Sequence, residues 1–229
     1  MMTTSPETSG PYERLRAAIL SLDLLPGERL SERGLEAMLG ASRTPIRAAL
    51  MRLENEGLTL RDARTWRVTP IDLGEVRALM EYREALETAV VTLAVERAHD
   101  AELESLGAIA RVGGEHEDAD AVLRDGSDFH VALARLSRNP FLVDAIAGTL
   151  LRLSRTRWLE VRSAASRAQA AAEHREIVTA VAARDAERAR ALVVAHARGT
   201  RDRLLASLSE DRLRLRGRGL SIVESAAAG

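Results

Sequence analysis

The chain contains no cysteine and no lysine; all 33 of its basic residues are arginine. The absence of cysteine excludes disulfides, thiolate-ligated zinc and thiol catalysis, and a cytoplasmic setting fits. The missing lysine, together with 39 alanines, has the character of coding bias in a GC-rich genome, and no mechanism follows from it. Net charge is also nearly absent, with 33 basic against 34 acidic residues for a formal charge of -1. Such balance excludes a histone-like tail or a polybasic membrane binder, so any nucleic-acid contact has to come from a local patch. No apolar run approaches the roughly 18 to 20 residues needed to cross a bilayer, so no membrane partner is expected. The opening MMTTSPETSG is polar and lacks a basic-then-apolar signal layout, and residues 1–10 are expected to be a disordered leader.

Hydrophobic residues make up 46% of the 229, enough for a sizeable core in one large domain or two modest ones. Turn signals and a strand-like ending occupy residues 11–70, whereas residues 72–212 are Ala-rich and helical with few breakers. The domain boundary is therefore expected near Pro70, with a frayed tail over residues 213–229. In the first part, Leu15, Ala18, Ile19 and Leu22 share a helical face that Pro26-Gly27 closes with a turn. A second short helix runs from Ser31, an N-cap, to Gly40, placed to terminate it.

The third helix is expected to start within a residue of Thr44, with Thr44 as N-cap and Pro45 at N1. Ile46, Ala49, Leu50 and Leu53 form its inward face, while Arg43 and Arg47 lie on the other face near the N-terminus. Six arginines between Ser42 and Pro70 (43, 47, 52, 61, 64 and 67) face three acidic residues, Glu54, Glu56 and Asp62, giving a small basic patch. After Gly57, LTL and WRV flank the polar run RDART as a two-stranded wing would. Helix, tight turn, helix with arginine at its N-terminus, then hairpin is the winged helix-turn-helix layout, in which N-terminal side chains of the second helix reach base edges. Arginine suits that task because its planar fork donates two hydrogen bonds to guanine O6 and N7. The plainer reading is a small globular unit with solvated arginines.

The run PGERLSERGLEAMLGASRTPIRAALMRLENEGL resembles the N-terminal domain of the GntR family of bacterial transcription regulators. The resemblance implies that Arg33, Arg43, Thr44 and Arg47 contact double-stranded DNA. Two positions depart from the family pattern: Ala48 stands where Glu is usual, and Thr65 stands near the wing tip where Gly is usual.

From Asp72 helical periods continue to about Arg212, broken near Asp100, Gly113-Gly114, Asp125-Gly126, Asn139-Pro140 and residue 165, for a bundle of roughly six or seven helices. The fold class is thus mainly α: a winged helix-turn-helix with a small β wing, plus an all-α bundle. VRALMEYREALETAVVTLAVERA, FHVALARLSRN and EHREIVTAVAARDAERARALVVAH resemble the ligand-binding domain of the FadR-type branch of that family. Helical periodicity turns His130, His174 and His196 toward apolar neighbours, whereas His99 and His116 sit in polar surroundings. Three imidazoles directed into one bundle can converge on a divalent metal (zinc, nickel, manganese or iron); the alternative for each is a core histidine bonded to a backbone carbonyl. The resemblance places metal ligands at these three positions and an Asp four residues before the first, where this chain has Gly126. Asp125 reaches the metal face only if Gly126-Ser127 breaks the helix; otherwise it reads as an N-cap.

Arg83 falls within the apolar stripe Leu79, Leu86, Val90, Leu93, and a charge on such a face needs a partner. The resemblance suggests the carboxylate of a small organic-acid effector; the alternative is an i, i+4 pair with Glu87. The sequence is therefore read as a ligand-responsive regulator, not an enzyme, binding as a homodimer to a short inverted repeat. Its DNA affinity is expected to be switched by a small carboxylate, with a divalent metal as second anchor. The rivals are a metal-independent regulator of the same family binding an acyl-CoA-like effector, favoured by Gly126, and a helical metal-dependent hydrolase, for which no general base is evident beside the histidines.

Overall fold

The computed structural model describes residues 10–63, 65–112, 119–157, 163–210, 217 and 219–225. The chain divides into two units, Met1–Leu73 with Asp211–Gly229, and Gly74–Glu210.

The first unit begins with α1 (Pro11–Leu20), which buries Leu15 and Ile19 and stops at Ser21 before a left-handed Leu22. A short strand β1 (Arg29–Leu30) leads into α2 (Glu32–Leu39), and α3 (Arg43–Asn55) follows. The caps of α2 match its sequence: the Ser31 hydroxyl accepts from the Gly34 N–H, and Gly40 closes the helix at φ 62°. That conformation is left-handed, where a residue with a Cβ is strained. Arg14 adds a second closure, donating to the Leu39 and Met38 carbonyls at the end of α2. Helix α3 starts at Arg43 with Ser42 in the cap position, so Thr44 is inside the first turn instead of capping it. Pro45 remains harmless there because an N–H in the first turn has no intrahelical acceptor. The inward face of α3 is Ile46, Ala49, Leu50 and Leu53, all buried.

Strands β2 (Thr59–Asp62) and β3 (Thr65–Val68) form the wing hairpin, with β1 on the far side of β3 in the order β1-β3-β2. Asp62 pairs with Thr65, so Thr65 belongs to the strand and not to the tip. Among the described residues of the hairpin, Ala63 takes the left-handed turn conformation, at φ 53°. Arg64 lies outside the described residues.

The C-terminal tail is not frayed throughout. β5 (Ile222–Val223) pairs in parallel with β4 (Ile71–Asp72). Leu220 and Ile222 are buried, and Ser221 donates its N–H to the Pro26 carbonyl and accepts from the Ile71 N–H. Gly27, at φ 86°, lies where a Cβ would collide with the Ser221 side chain, so the turn that precedes β1 is shaped to receive the tail. The physical reason is burial: two large aliphatic side chains leave water together with the backbone groups that the pairing satisfies.

The second unit consists of α4 (Leu73–Arg97, counted from its first turn), α5 (Asp100–Val112), α6 (Ala119–Leu136), α7 (Pro140–Arg157), α8 (Ala164–Ala182) and α9 (Ala186–Glu210). Helix α5 packs on α6 and α8, α6 on α7, and α8 on α9. The core between them holds Val90, Val91 and Ala94 of α4, Phe129 and Leu133 of α6, Ile177 and Val181 of α8, and Val193 of α9. Asn139 caps α7 by accepting from the Phe141 N–H, with Pro140 at the first helical position. The expected break at Asp125-Gly126 does not occur: α6 is continuous through it. Glycine costs a helix interior only about 1 kcal/mol, which packing of the apolar face on either side outweighs.

Candidate functional site

On the first unit, Arg33, Arg43, Thr44 and Arg47 are all exposed, the first on α2 and the others on the opening turns of α3. Arg43 and Arg47 are one turn apart, and each is met by a carboxylate of α2. Arg43 Nε lies 3.2 Å from Glu36 Oε1, and Arg47 Nε lies 2.6 Å from Glu32 Oε1. Glu32 and Glu36 are themselves one turn apart, so two parallel ion pairs run across the helix-turn-helix. The sequence reading missed these carboxylates, although their spacing of four on α2 mirrors that of the arginines on α3. In the wing, Arg67 pairs with Asp62 at 2.7 Å, and Arg61 lies over the Trp66 ring.

Within the second unit, α6, α8 and α9 bring His130, His174 and His196 together. One ring nitrogen of each lies within 4.8 Å of those of the other two, and all three residues are buried. Each helix turns its histidine inward for the same reason: the residue sits on the stripe that carries the helix's buried aliphatic side chains. His174 is stacked on Phe129, with ring centroids 4.0 Å apart. His99 is exposed, as its polar setting suggests, and His116 lies outside the described residues.

Two carboxylates orient the imidazoles. Glu87 Oε1 lies 3.0 Å from Nδ1 of His130, and Glu173 Oε2 accepts from Nδ1 of His196 at 2.7 Å. Both rings therefore carry their proton on Nδ1 and turn the Nε2 lone pair into the cluster. Burial pushes the His130 imidazolium down to about 3, with Arg83 adding to the effect and Glu87 opposing it, so this ring is neutral at pH 7. Burial alone would raise the Glu173 carboxyl, but the hydrogen bond from His196 and the charges around it bring it below its ordinary value. Glu173 was missed by sequence reasoning; the only signal was an acidic residue directly before His174.

Arg83, on α4, reaches into the same cluster. Its side chain is 1% exposed, and its Nε donates to Glu87 Oε1 at 2.7 Å. Its Nη2 donates to Nε2 of His130 at 2.6 Å and lies 3.3 Å from Nε2 of His196. Among the described residues its Nη1 is buried with no hydrogen-bond partner, as is Glu87 Oε2. Burial pushes the Glu87 carboxyl up, but attraction to Arg83 and His130 outweighs it and holds the group well below the usual carboxylate range. The i, i+4 pair with Glu87 is thus present, and it is one half of a larger network.

The helix break that Asp125 would need does not occur, and Asp125 lies inside α6, whose first residue is Ala119, so it is not at the cap position. Five residues before His130 on a continuous helix is a position about 140° around the axis. Gly126, one turn before His130 and on its face, has no side chain to offer. The three imidazoles and their carboxylate orienters have the donor chemistry that a borderline divalent cation takes, but Arg83 lies on two of the ring nitrogens and Gly126 adds no carboxylate on that face.

Residues 9–65 match the family model described as bacterial regulatory proteins, gntR family. Residues 78–199, more than half of the chain, match the model of the FCD domain. The Nta operon transcriptional regulator of Aminobacter aminovorans is 32% identical over 189 residues, covering 81% of this chain and 89% of that protein. The transcriptional regulator LutR of Bacillus subtilis is 29% identical over 214 residues, 82% of this chain and 97% of that one. Among solved structures, E. coli McbR/YncC has a similar fold, with a TM-score of 0.72 at 22% identity over 86% of this chain and 96% of that chain.

Proposed function

The chain belongs to the GntR family of bacterial transcription regulators, with an FCD effector-binding domain, and from that premise we propose that a small carboxylate held at Arg83 controls its DNA affinity. The observation that carries this reading is the buried guanidinium whose Nη1 has no hydrogen-bond partner among the described residues. A buried guanidinium with an unused N–H donor favours an acceptor of matching geometry, and a carboxylate oxygen takes such a donor in a charge-assisted hydrogen bond.

On the DNA side, Arg33, Arg43, Thr44 and Arg47 are proposed to contact the operator, with the arginines of α3 at base edges. A single recognition helix reads few base pairs, so the active species is a homodimer on a short inverted repeat. In a metal-loaded form His130, His174 and His196 would hold a divalent ion, which would supply a Lewis-acidic anchor for the carboxylate in place of Arg83 and not beside it. Among the described residues no helix is long and apolar enough to cross a membrane, and the proposed setting is the cytoplasm. The effector acts by binding the DNA-incompetent arrangement more tightly than the competent one, and that difference sets the size of the response.

The experiment is an operator selection with purified protein, followed by titration of mono- and dicarboxylates into the protein–DNA complex. Palindromic sites should be enriched, and at least one acid should release the DNA from the parent protein but not from Arg83→Met. An acid that tightens the complex reverses the proposed sign, and an equal response from Arg83→Met removes Arg83 from the effector site.

A further inference from the structure

The two lone pairs that a metal would need most are already taken. Glu87 and Glu173 hold the Nδ1 atoms of His130 and His196, which turns both Nε2 atoms into the cluster. Arg83 Nη2 lies 2.6 Å from the first and 3.3 Å from the second. An imidazole Nε2 has one lone pair, so it cannot accept this hydrogen bond and ligate a metal at the same time.

Charge points the same way. One guanidinium and one carboxylate, Arg83 and Glu87, lie 2.7 Å apart with both side chains buried, so this pair is balanced as it stands. A divalent ion entering beside Arg83 would set two cations a few ångströms apart in a region shielded from water, where their repulsion is strong. Position 126 lies one turn before His130, where a side chain could reach the same face, and holds Gly126. It therefore offers no carboxylate to offset the added charge.

We propose that in this chain the guanidinium of Arg83 is the cation that His130 and His196 hold, that it replaces a metal as the anchor for the effector's carboxylate, and that a divalent ion enters only by displacing it. Nη1 of Arg83 is the donor presented to the carboxylate, while Nε and Nη2 are fixed by Glu87 and the imidazoles. The anchoring role rests on the effector reading given above. The competition between Arg83 and metal does not, because it is measured without DNA or effector.

The test uses zinc ion as the probe and the full-length protein. Untagged protein purified without chelator should carry well under one metal per chain, and Arg83→Met should bind zinc about tenfold or more tightly than the parent in competition with a chromophoric chelator. Near one tightly held metal per chain in the parent would overturn the proposal, as would a folded Arg83→Met protein with no gain in affinity. If that variant does not fold, the parent labelled with nitrogen-15 at arginine provides the second measurement. Loss of the protected Arg83 side-chain N–H signals on saturation with zinc supports displacement, and their persistence with zinc bound refutes it. Failure of the zinc arms with an intact carboxylate response would leave the regulator reading standing.

Discussion

Glu87 lies one helical turn beyond Arg83 on α4, and its Oε1 is 2.7 Å from Arg83 Nε with both side chains almost wholly removed from solvent. Taking such charges out of water is costly, and the pair repays it only while both members are present. Glu87→Leu is therefore expected to destabilise the helical unit by about 3–5 kcal/mol, because it leaves a buried guanidinium uncompensated. The double variant Arg83→Met/Glu87→Leu should recover most of that loss, since an apolar pair of similar volume needs no charge partner. Urea unfolding of the parent, both single variants and the double variant measures the coupling. A Glu87→Leu protein within about 1 kcal/mol of the parent would show that the pair is not what satisfies Arg83.

Acid should weaken the same unit, and the sign follows from which state takes the proton. An unfolded histidine titrates near 6.5, whereas His130 in the fold is held down to about 3 by burial. Between those values the unfolded chain binds a proton that the folded one does not, so stability falls as pH is lowered through that window. The limit is about a tenfold change in the folding constant per pH unit. Glu87, depressed by Arg83 and His130 against the effect of burial, adds a loss of the same sign once the pH drops below its unfolded value near 4.3. Among the described residues Arg83, Glu87, His174 and His196 are the charged or titratable groups around His130. Urea midpoints recorded from pH 7.5 down to pH 4 should decline, and a flat profile would contradict the assignment.

Arg47 is held by Glu32 at 2.6 Å, in an exposed ion pair that contributes little to stability. Arg47→Ala should leave the melting temperature nearly unchanged while weakening operator binding by roughly 5- to 150-fold and relaxing the preference at one base position. Glu32→Gln is expected to act in the opposite direction on DNA, since it frees Arg47 and removes a carboxylate that repels phosphate. Fluorescence anisotropy on the selected operator at fixed salt tests both. Unaltered binding by Arg47→Ala would remove that residue from the base-reading set.

The tail contributes to the DNA-binding unit through Ile222, which is 1% exposed and pairs with Ile71 across β4–β5. Ile222→Ala should cost about 2–5 kcal/mol, the range for truncating a fully buried aliphatic side chain. Its effect should appear in the unfolding of the winged helix and in DNA affinity. Thermal unfolding monitored at Trp66, with the other tryptophan replaced, separates that unit's transition; no shift would mean that the tail adds nothing to it.

What the sequence determined by itself is what short-range physics governs. The Ser31 cap, the Gly40 stop, the inward face of α3 and the helix break at Asn139-Pro140 all depend on residues within a turn of one another, and all are found in the structure. The helical period likewise fixed which faces carry His130, His174 and His196, because a buried stripe has to keep its register. Even here Ser42, not Thr44, took the cap position, since neighbouring cap candidates differ by little. Tertiary structure decided the rest. Arg83 meets His130 from 47 positions away, and Glu173 meets His196 from 23 away, pairings set by how whole helices pack. Continuity of α6 through Gly126 and the return of Ile222 to Ile71 were decided there too. At Gly126 burial of the apolar face on either side outweighed a local cost of about 1 kcal/mol, and the other pairings join residues that no single window of sequence contains.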